Sequence, residues 1–287
     1  MKTKQEIHRE IADQIIDMMK DHGTDWTKPW AGDFMTPTSM STGRPYQGIN
    51  WVILSIDIWK NDYTSGHFAT FKQWQSMGAQ VRKGSKGKKI ILYKPVEITD
   101  KATGEKETVP LLRAFTVFNA DQVDGYTPEQ PNKAAGEIRA DTAADQLAAD
   151  AGAQVFNHED ARAFYSPALD HINMPRPDLF ESVEGYACTL LHELTHWTGH
   201  KSRCDRKLLN SHGEKDYAAE ELVAELGAAM LAGSLGISAT PRPDHAKYLN
   251  SWIRLLKDDP KAIFTAAAKA QSATNWLYEA AEQRIAA

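Results

Sequence analysis

Cysteine is scarce in this chain, and long apolar runs are missing. Two cysteines, Cys188 and Cys204, in 287 residues are too few for the disulfide framework of a small secreted protein, and they fit a reducing cytoplasm. No apolar stretch is long enough to cross a bilayer, and residues 1–6 open a polar helix without the apolar core of a signal peptide. We therefore expect a cytoplasmic protein without a membrane partner.

The chain also lacks an excess of positive charge. Its formal net charge is −5, which excludes a general polycation, so any nucleic-acid site must be a local patch. Hydrophobic residues make up 42% of the chain and charged residues 25%, as in ordinary globular proteins. The length permits two domains with separate cores.

The motif His192-Glu193-Leu194-Thr195-His196 carries the clearest chemistry. Residues four apart share one face of a helix, so the two imidazoles can hold one metal ion while Glu193 takes a proton from a metal-bound water. The apolar spacing upstream predicts a mostly buried helix that is capped by Ser182 or Asp178 and ends near Gly199. Two core histidines beside a surface glutamate would give the same letters, but this helical context favours a metal site.

A second predicted helix, 217–231 with Asp216 as its cap, is expected to supply the third ligand, because catalytic zinc usually has three protein ligands and one open position. Glu221 and Glu225 lie one turn apart on it among apolar residues. In our first assignment Glu221 binds the metal and Glu225 accepts the free ring N–H of a ligand histidine. The reverse assignment stays open.

Two other residues near the motif rank lower as ligands. Glu220 points off the glutamate face and is expected to be exposed. His200 lies two turns beyond His192 and past Gly199, so it is expected to leave the helix line. The expected metal is Zn²⁺, or another divalent ion such as Mn²⁺.

The substrate side of such a site needs a donor for the oxyanion that forms on the attacked carbonyl. Tyr248 or His245, near the start of a later helix, could supply it, and a packing or capping role fits them equally well. Two short edge strands predicted within 164–175 precede the metal helix. One of them could bind a peptide by strand addition.

The first half of the chain combines aromatic residues in polar loops with a cluster of positive charge. Tryptophans in loops usually pack, but they can also present flat rings on which bases stack. The charges crowd a glycine-containing turn between two strand-like segments, which is either a solvated hairpin tip or a platform that neutralises phosphates. The predicted DNA contacts are Trp26, Trp30, Tyr46, Asn50, Trp51, Arg82, Lys83, Lys86, Lys88 and Lys89.

Together these patterns predict an α+β fold in two domains. Residues 1–125 form an α+β domain with an amphipathic first helix docked on it, a buried helix at 52–60 and a hairpin at 96–118. A polar linker, 126–136, leads to a mainly helical domain. That second domain, residues 137–287, begins with an alanine-rich helix.

Four sequence blocks of the first half, followed by the metal motif and a glutamate-containing block, carry a family resemblance. They are Trp26-x-x-Pro29-Trp30, Tyr46-x-Gly48-x-Asn50, Thr70-Phe71-x-Gln73, Val81-Arg82-Lys83-Gly84, His192-Glu193-Leu194-Thr195-His196 and Glu220-Glu221-Leu222-Val223-Ala224-Glu225-Leu226-Gly227. Over nearly its whole length the chain resembles the ArdC-type antirestriction proteins of conjugative plasmids. Its first half is also similar to the corresponding region of TraC-type plasmid primases.

The resemblance implies an N-terminal domain that binds single-stranded DNA, a C-terminal zincin-like metallopeptidase domain, and protection of incoming plasmid DNA from host restriction. The implied partners are single-stranded DNA and an unidentified protein substrate, for which part of the host restriction machinery is one candidate. Two alternatives stay open. The protein could protect DNA by coating it while the metal site is structural or silent, or it could be a primase accessory module.

Overall fold

The computed structural model describes most of the chain, and the following account refers to the residues it describes. They are 3–22, 35–99, 106–126, 140–160, 162–208, 214–238 and 245–286. None of the helices within these ranges is both long and apolar enough to cross a membrane.

Two compact units make up the chain. The first comprises Met1–Lys4 and Thr36–Gln130, and the second comprises Gln5–Met35 and Pro131–Ala287. The later boundary, near residue 130, falls inside the predicted linker. The architecture is the predicted α+β fold with a mainly helical C-terminal part.

Helix α1, Lys4–His22, belongs from Gln5 onward to the second unit. The Arg9 guanidinium donates a hydrogen bond to the Lys257 carbonyl at 3.0 Å, and the ring of His8 lies 4.2 Å from that of Phe264. The structure therefore corrects the expectation that this helix docks on the first domain. An amphipathic pattern shows that a helix has a buried face, but it does not show which core that face covers.

The first unit mixes short strands, one long hairpin and helices. Its elements are β1 Thr38–Ser39, α2 Ile49–Lys60, β2 His67–Thr70, α3 Phe71–Ser76, β3 Gln80–Val81, β4 Lys88–Thr99, β5 Lys106–Asn119 and β6 Val123–Asp124. One sheet has the order β1-β2-β5-β4, in which β1 is parallel to β2 and the other pairs are antiparallel. A separate small sheet pairs β3 with β6.

The predicted hairpin is present, with β4 and β5 paired from Lys88↔Val117 to Thr99↔Lys106. The basic turn, residues 82–87, is not its tip. It connects β3 to β4, which belong to different sheets, so the turn lies at the base of the hairpin. The structure therefore excludes the hairpin-tip interpretation of this charge cluster.

Helix α2 covers one face of the larger sheet through Leu54, which packs with Phe68 and Val117. It begins after Gly48, whose φ of 56° lies in a region that glycine adopts without steric cost. Two residues later, the Asn50 side chain donates to the Ile91 carbonyl at 2.6 Å and accepts from the Ile91 amide at 2.8 Å. Asn50 thus occupies the place of a neighbouring strand along β4.

The second unit places a small sheet beside helices. Its elements after α1 are α4 Ala140–Ala151, β7 Val155–His158, β8 Phe164–Ser166, β9 His171–Pro175, α5 Val183–Trp197, α6 Glu214–Leu235, α7 His245–Asp258 and α8 Ala262–Ile285. The strand order is β7-β9-β8. Of the two predicted edge strands, β8 is at an edge and β9 is central, and β7 was not predicted.

Helix α5 runs through the core of this unit. Its leucines Leu190, Leu191 and Leu194 are fully buried, and α4, α6 and α8 all pack against it. The alanines of α4 and α8 are small enough to let these helices approach closely. The metal motif therefore stands on a helix that is buried from Tyr186 to Trp197.

Candidate functional site

The histidine-bearing helix begins and ends close to where its sequence predicts. The Ser182 hydroxyl caps it by accepting from the Gly185 amide at 3.0 Å. The helix ends at Trp197, and His200 beyond it lies 2.8 Å from the Ser202 hydroxyl. His200 is therefore turned to its own loop, in keeping with its low rank as a ligand.

Helix α6 lies unusually close to α5 at Gly227. A Cβ atom at this position would lie 2.5 Å from Cγ2 and 2.7 Å from Oγ1 of Thr195, so only glycine fits. This approach brings the glutamates of α6 to the histidines. The helix begins at Glu214, so Asp216 lies in its first turn and is not the predicted cap.

Gly227→Ala is expected to lower the free energy of unfolding. Overpacking against Thr195 costs about 1–3 kcal/mol, which exceeds the about 0.5–1 kcal/mol that alanine gains over glycine inside a helix. Urea unfolding of the metal-free protein measures the difference. Adding Thr195→Ala removes both contacting atoms and should restore most of the loss. A Gly227→Ala variant as stable as wild type would contradict the close approach.

Three side chains converge on one point between α5 and α6. The Nε2 atoms of His192 and His196 are 3.1 Å apart, and Glu221 oxygens lie 3.5 Å and 3.4 Å from them respectively. Ligands about 2.0–2.1 Å from a tetrahedral zinc ion stand roughly 3.4 Å apart, so these separations fit one divalent ion. Among the described residues, this trio forms a group able to hold a metal, and it matches our first assignment.

The other ring nitrogens of the histidines face carboxylates. Nδ1 of His196 lies within hydrogen-bond distance of Glu220, at 3.3 Å. Such a partner fixes the ring orientation and leaves Nε2 for a metal. Nδ1 of His192 lies 3.6 Å from Glu225 and has no hydrogen-bond partner among the described residues, so the predicted hydrogen bond to Glu225 is not formed. Glu220 is 5% exposed, so the expectation of an exposed Glu220 is wrong.

Arg206 accounts for the burial of Glu220. Its guanidinium contacts both Glu220 carboxylate oxygens at 2.9–3.2 Å, and it also donates to the Thr198 hydroxyl and the Thr195 carbonyl. The segment after α5 therefore ties α6 to the metal helix through a buried ion pair. Arg206 was not predicted from the sequence, because a single arginine in an aperiodic segment gives no pattern to detect.

Buried carboxylates outnumber the buried guanidinium in this site. The carboxylates belong to Glu193, Glu220, Glu221 and Glu225, and the guanidinium to Arg206. Burial would lower the pKa of His196, but Glu220 and Glu221 raise it to about 10. Burial would likewise raise the pKa of Glu221, yet hydrogen bonds with His192 and His196 hold it below its usual range. Protons compensate the excess negative charge here, and a divalent cation can do the same.

Glu193 is held beside the converging ligands by main chain. One of its carboxylate oxygens accepts a 2.9 Å hydrogen bond from the Tyr165 amide on the edge strand β8, and the side chain is 4% exposed. The sequence motif predicts the position of this carboxylate along α5, but not the strand amide that orients it.

Tyr248 approaches the site through a second tyrosine, Tyr217. The two hydroxyls are 2.8 Å apart, and the Tyr217 hydroxyl also hydrogen-bonds Glu221, one turn along α6. Burial, and then Tyr248 and Glu221, raise the pKa of Tyr217, so it keeps its proton. Tyr217 was not predicted from the sequence as a site residue. His245 is the first residue of α7, and its side chain lies outside the described part of the structure.

Comparison with known proteins follows the two halves of the chain. The N-terminal domain of the anti-restriction factor ArdC matches residues 5–118, and a zincin-like metallopeptidase family matches residues 142–269. The crystal structure of antirestriction ArdC from plasmid R388, in metal-free form, is 38% identical with a TM-score of 0.82, covering 96% of this chain and 98% of that one. The chain belongs to the ArdC family.

Other relatives of this ArdC-family chain agree. The Mn(II)-bound structure of R388 ArdC is 41% identical with a TM-score of 0.79, covering 96% of this chain and 97% of that one. The uncharacterized protein y4eC of Sinorhizobium fredii is 35% identical over 96% of this chain and 92% of its own length. Two DNA primases TraC of Escherichia coli are 37% and 36% identical over 99% of this chain, which spans only 28% and 21% of their lengths.

The aromatic residues predicted to contact DNA in this ArdC chain have different surroundings. Trp26 and Trp30 lie outside the described residues. Trp51 is 3% exposed in the first turn of α2, so its ring cannot stack on a base, which corrects that prediction. Tyr46 is half-buried, edge-on to Phe68, and burial raises its pKa.

Of the polar residues predicted to contact DNA, some are bound to other protein groups and others are exposed. Asn50 is engaged with β4, as described above. Arg82 donates to the Asp121 and Val123 carbonyls and pairs with Asp124, while Lys88 lies 3.5 Å from a carboxylate oxygen of Asp57. Arg82, Lys83, Lys86 and Lys89 are exposed, and of these Arg82 is paired with Asp124.

Proposed function

We propose that this ArdC-family chain protects incoming plasmid DNA by binding it as a single strand and by hydrolysing a protein substrate. The convergence of His192, His196 and Glu221 on one point, beside Glu193, is the observation that carries the peptidase half. The donor set is that of a three-ligand catalytic zinc site. The substrate we favour is a component of the host restriction machinery.

Metal binding is assigned to His192, His196 and Glu221, with Glu220 orienting the His196 imidazole and Glu225 lying 3.6 Å from Nδ1 of His192. A divalent cation bound there supplies Lewis acidity and a bound water of lowered pKa. Zn²⁺ is the usual ion for two nitrogens and one carboxylate, whereas one of the R388 ArdC structures is bound to Mn(II). We therefore expect the site to bind either ion.

The residues around the donor set have separate tasks in this proposal. Glu193, oriented by the Tyr165 amide, takes the proton from the nucleophile as general base. The Tyr248 hydroxyl donates to the oxygen of the attacked carbonyl, while the single proton of Tyr217 is used in its hydrogen bond with Glu221. Strand β8 is the edge that carries the Tyr165 amide, so an extended peptide can add along it next to Glu193.

The DNA-binding half of the proposal rests on the first unit. Its match to the ArdC N-terminal domain, and the similarity to proteins named as DNA primases, suggest a surface for nucleic acid. The exposed lysines Lys83, Lys86 and Lys89 lie at or beside the basic turn in a chain that is acidic overall. A local cluster of this kind neutralises phosphates without reading sequence.

Glu193→Gln is expected to abolish protection of transferred plasmid DNA, because the amide cannot accept the proton. Metal content and affinity for single-stranded DNA should stay within about twofold of wild type, since the substitution changes neither the ligands nor the first unit. Plasmid transfer into a restricting host measures protection. Elemental analysis and fluorescence anisotropy measure the two properties expected to persist.

Glu279→Gln, an exposed glutamate of α8, is the matched control and should protect fully. Full protection by Glu193→Gln would instead favour a second candidate, in which the chain acts by coating DNA or as a primase accessory module. The occurrence of this region within about a quarter of the length of two primases is what favours that candidate.

A further inference from the structure

Phe71 is a large apolar side chain that is not buried in the core. It is 44% exposed at the first position of α3. Its backbone is fixed on both sides, because the Thr70 hydroxyl accepts from the Gln73 amide while the Gln73 side chain accepts from the Thr70 amide at 2.8 Å. Gln73 also donates to the Ser41 hydroxyl at 2.8 Å. An exposed phenyl ring is thus presented on a rigid backbone.

Phe118 supports this ring from the sheet. The two ring centroids are 6.4 Å apart at 71°, an edge-to-face contact. Phe118 is itself held in place, because the Trp74 indole donates to its carbonyl at 3.0 Å. A Cβ atom added at Gly87 would lie 2.9 Å from the Phe118 ring, so the end of the basic turn lies directly against it.

Positive charge flanks the aromatic pair on the same face of the sheet. Thr116 and Phe118, two residues apart on β5, point to one face, and Lys89 of β4 stands opposite Thr116. The Lys86 carbonyl accepts from the Gln122 side chain at 3.0 Å, which fixes the turn beside this face. Lys86 and Lys89 are both exposed.

We propose that Phe71, supported by Phe118, is a stacking platform for a base of single-stranded DNA, and that Lys86 and Lys89 neutralise the neighbouring phosphates. This inference rests on the proposed DNA-binding function and names the surface that performs it. A ring offers every base a face to stack on regardless of sequence, and adjacent cations select a polyanion over an apolar peptide. In this proposal Phe71 has the stacking role that was predicted for Trp51, whose ring is buried in the core.

The test compares two oligonucleotides of equal length with the full chain, one of oligothymidylate and one with abasic sites throughout. Phe71→Leu is expected to weaken oligothymidylate binding about tenfold and to leave abasic binding unchanged, because only the first ligand has bases to stack. Phe71→Trp, which keeps a ring, should retain wild-type affinity. Lys89→Gln should weaken both ligands and reduce the salt slope by about one.

Phe115→Leu is the matched control. Phe115 is 39% exposed in the same unit, but it pairs with Ile90 on the opposite face of the hairpin, so its replacement should leave both affinities unchanged. Phe71→Leu with wild-type affinity would overturn the platform, as would loss of affinity in Phe115→Leu alone. A wild-type chain that binds neither oligonucleotide would instead overturn the proposed function itself.

Discussion

Arg206→Met is expected to lower the free energy of unfolding by about 3–5 kcal/mol. Glu220 would remain 5% exposed beside the His196 ring but without the guanidinium that contacts both its oxygens, and a buried carboxylate that loses such a partner is costly. The Thr195 carbonyl and Thr198 hydroxyl would lose their donor as well. Urea unfolding of the metal-free protein, followed by circular dichroism, measures the loss.

The double variant Arg206→Met with Glu220→Met separates charge burial from metal affinity. Replacing both partners of a buried ion pair with apolar groups of similar volume is often nearly neutral, so stability should largely return. The metal affinity of the double variant, in contrast, should be lower than that of wild type. His196 would still lack the Glu220 carboxylate at Nδ1, and losing such a partner costs about 10- to 100-fold. A single variant as stable as wild type would show that the pair contributes little.

His192→Ala is expected to weaken Zn²⁺ and Mn²⁺ binding by more than about 100-fold. Loss of a hydrogen-bond partner of a ligand already costs about 10- to 100-fold, and here one of three converging protein ligands is removed. Isothermal titration calorimetry on chelator-treated protein measures the affinity. His200→Ala removes a histidine near the same helix end, turned towards Ser202, and should bind metal as wild type does. Equal affinity of His192→Ala and His200→Ala would refute the assigned ligands.

The affinity for metal should also rise with pH. Because the pKa of His196 is raised to about 10, the metal-free site carries a proton near neutral pH that the cation must displace. Affinity then falls about tenfold for each unit of pH below that value, per proton released. The sign for folding is opposite: this proton stabilises the metal-free fold fully below pH 6.5, and that contribution is lost as pH rises towards 10.

The metal helix was predictable because its own sequence contains the needed information. Histidines four apart, apolar spacing and a Ser182 cap all report on one continuous element. The placement of Glu221 followed from the rule that a carboxylate among apolar residues needs a partner. The hairpin was predictable for the same reason, since alternation within each strand is local.

What the sequence concealed depends on contacts between distant segments. Helical geometry turns Glu220 away from Glu221, and only the return of the chain at Arg206 buries it. The group that holds Glu193 is the backbone amide of Tyr165. Because almost every residue has such an amide, the residue type at position 165 does not predict this hydrogen bond. Trp51 shows the limit at a helix boundary: the sequence predicts a helix from residue 52, but α2 begins at Ile49, so Trp51 is its third residue and is buried in the core.

Because α1 packs in the second unit, the first unit is an insertion between two segments of the second unit. Residues 1–125 excised as one fragment would carry a helix stripped of its seat, with Ile11, Ile15 and Met19 of its buried face turned to water and prone to self-association. A fragment opening near residue 36 avoids that burden. Joining α1 by a flexible linker to the segment after residue 130 would give the second unit without the first.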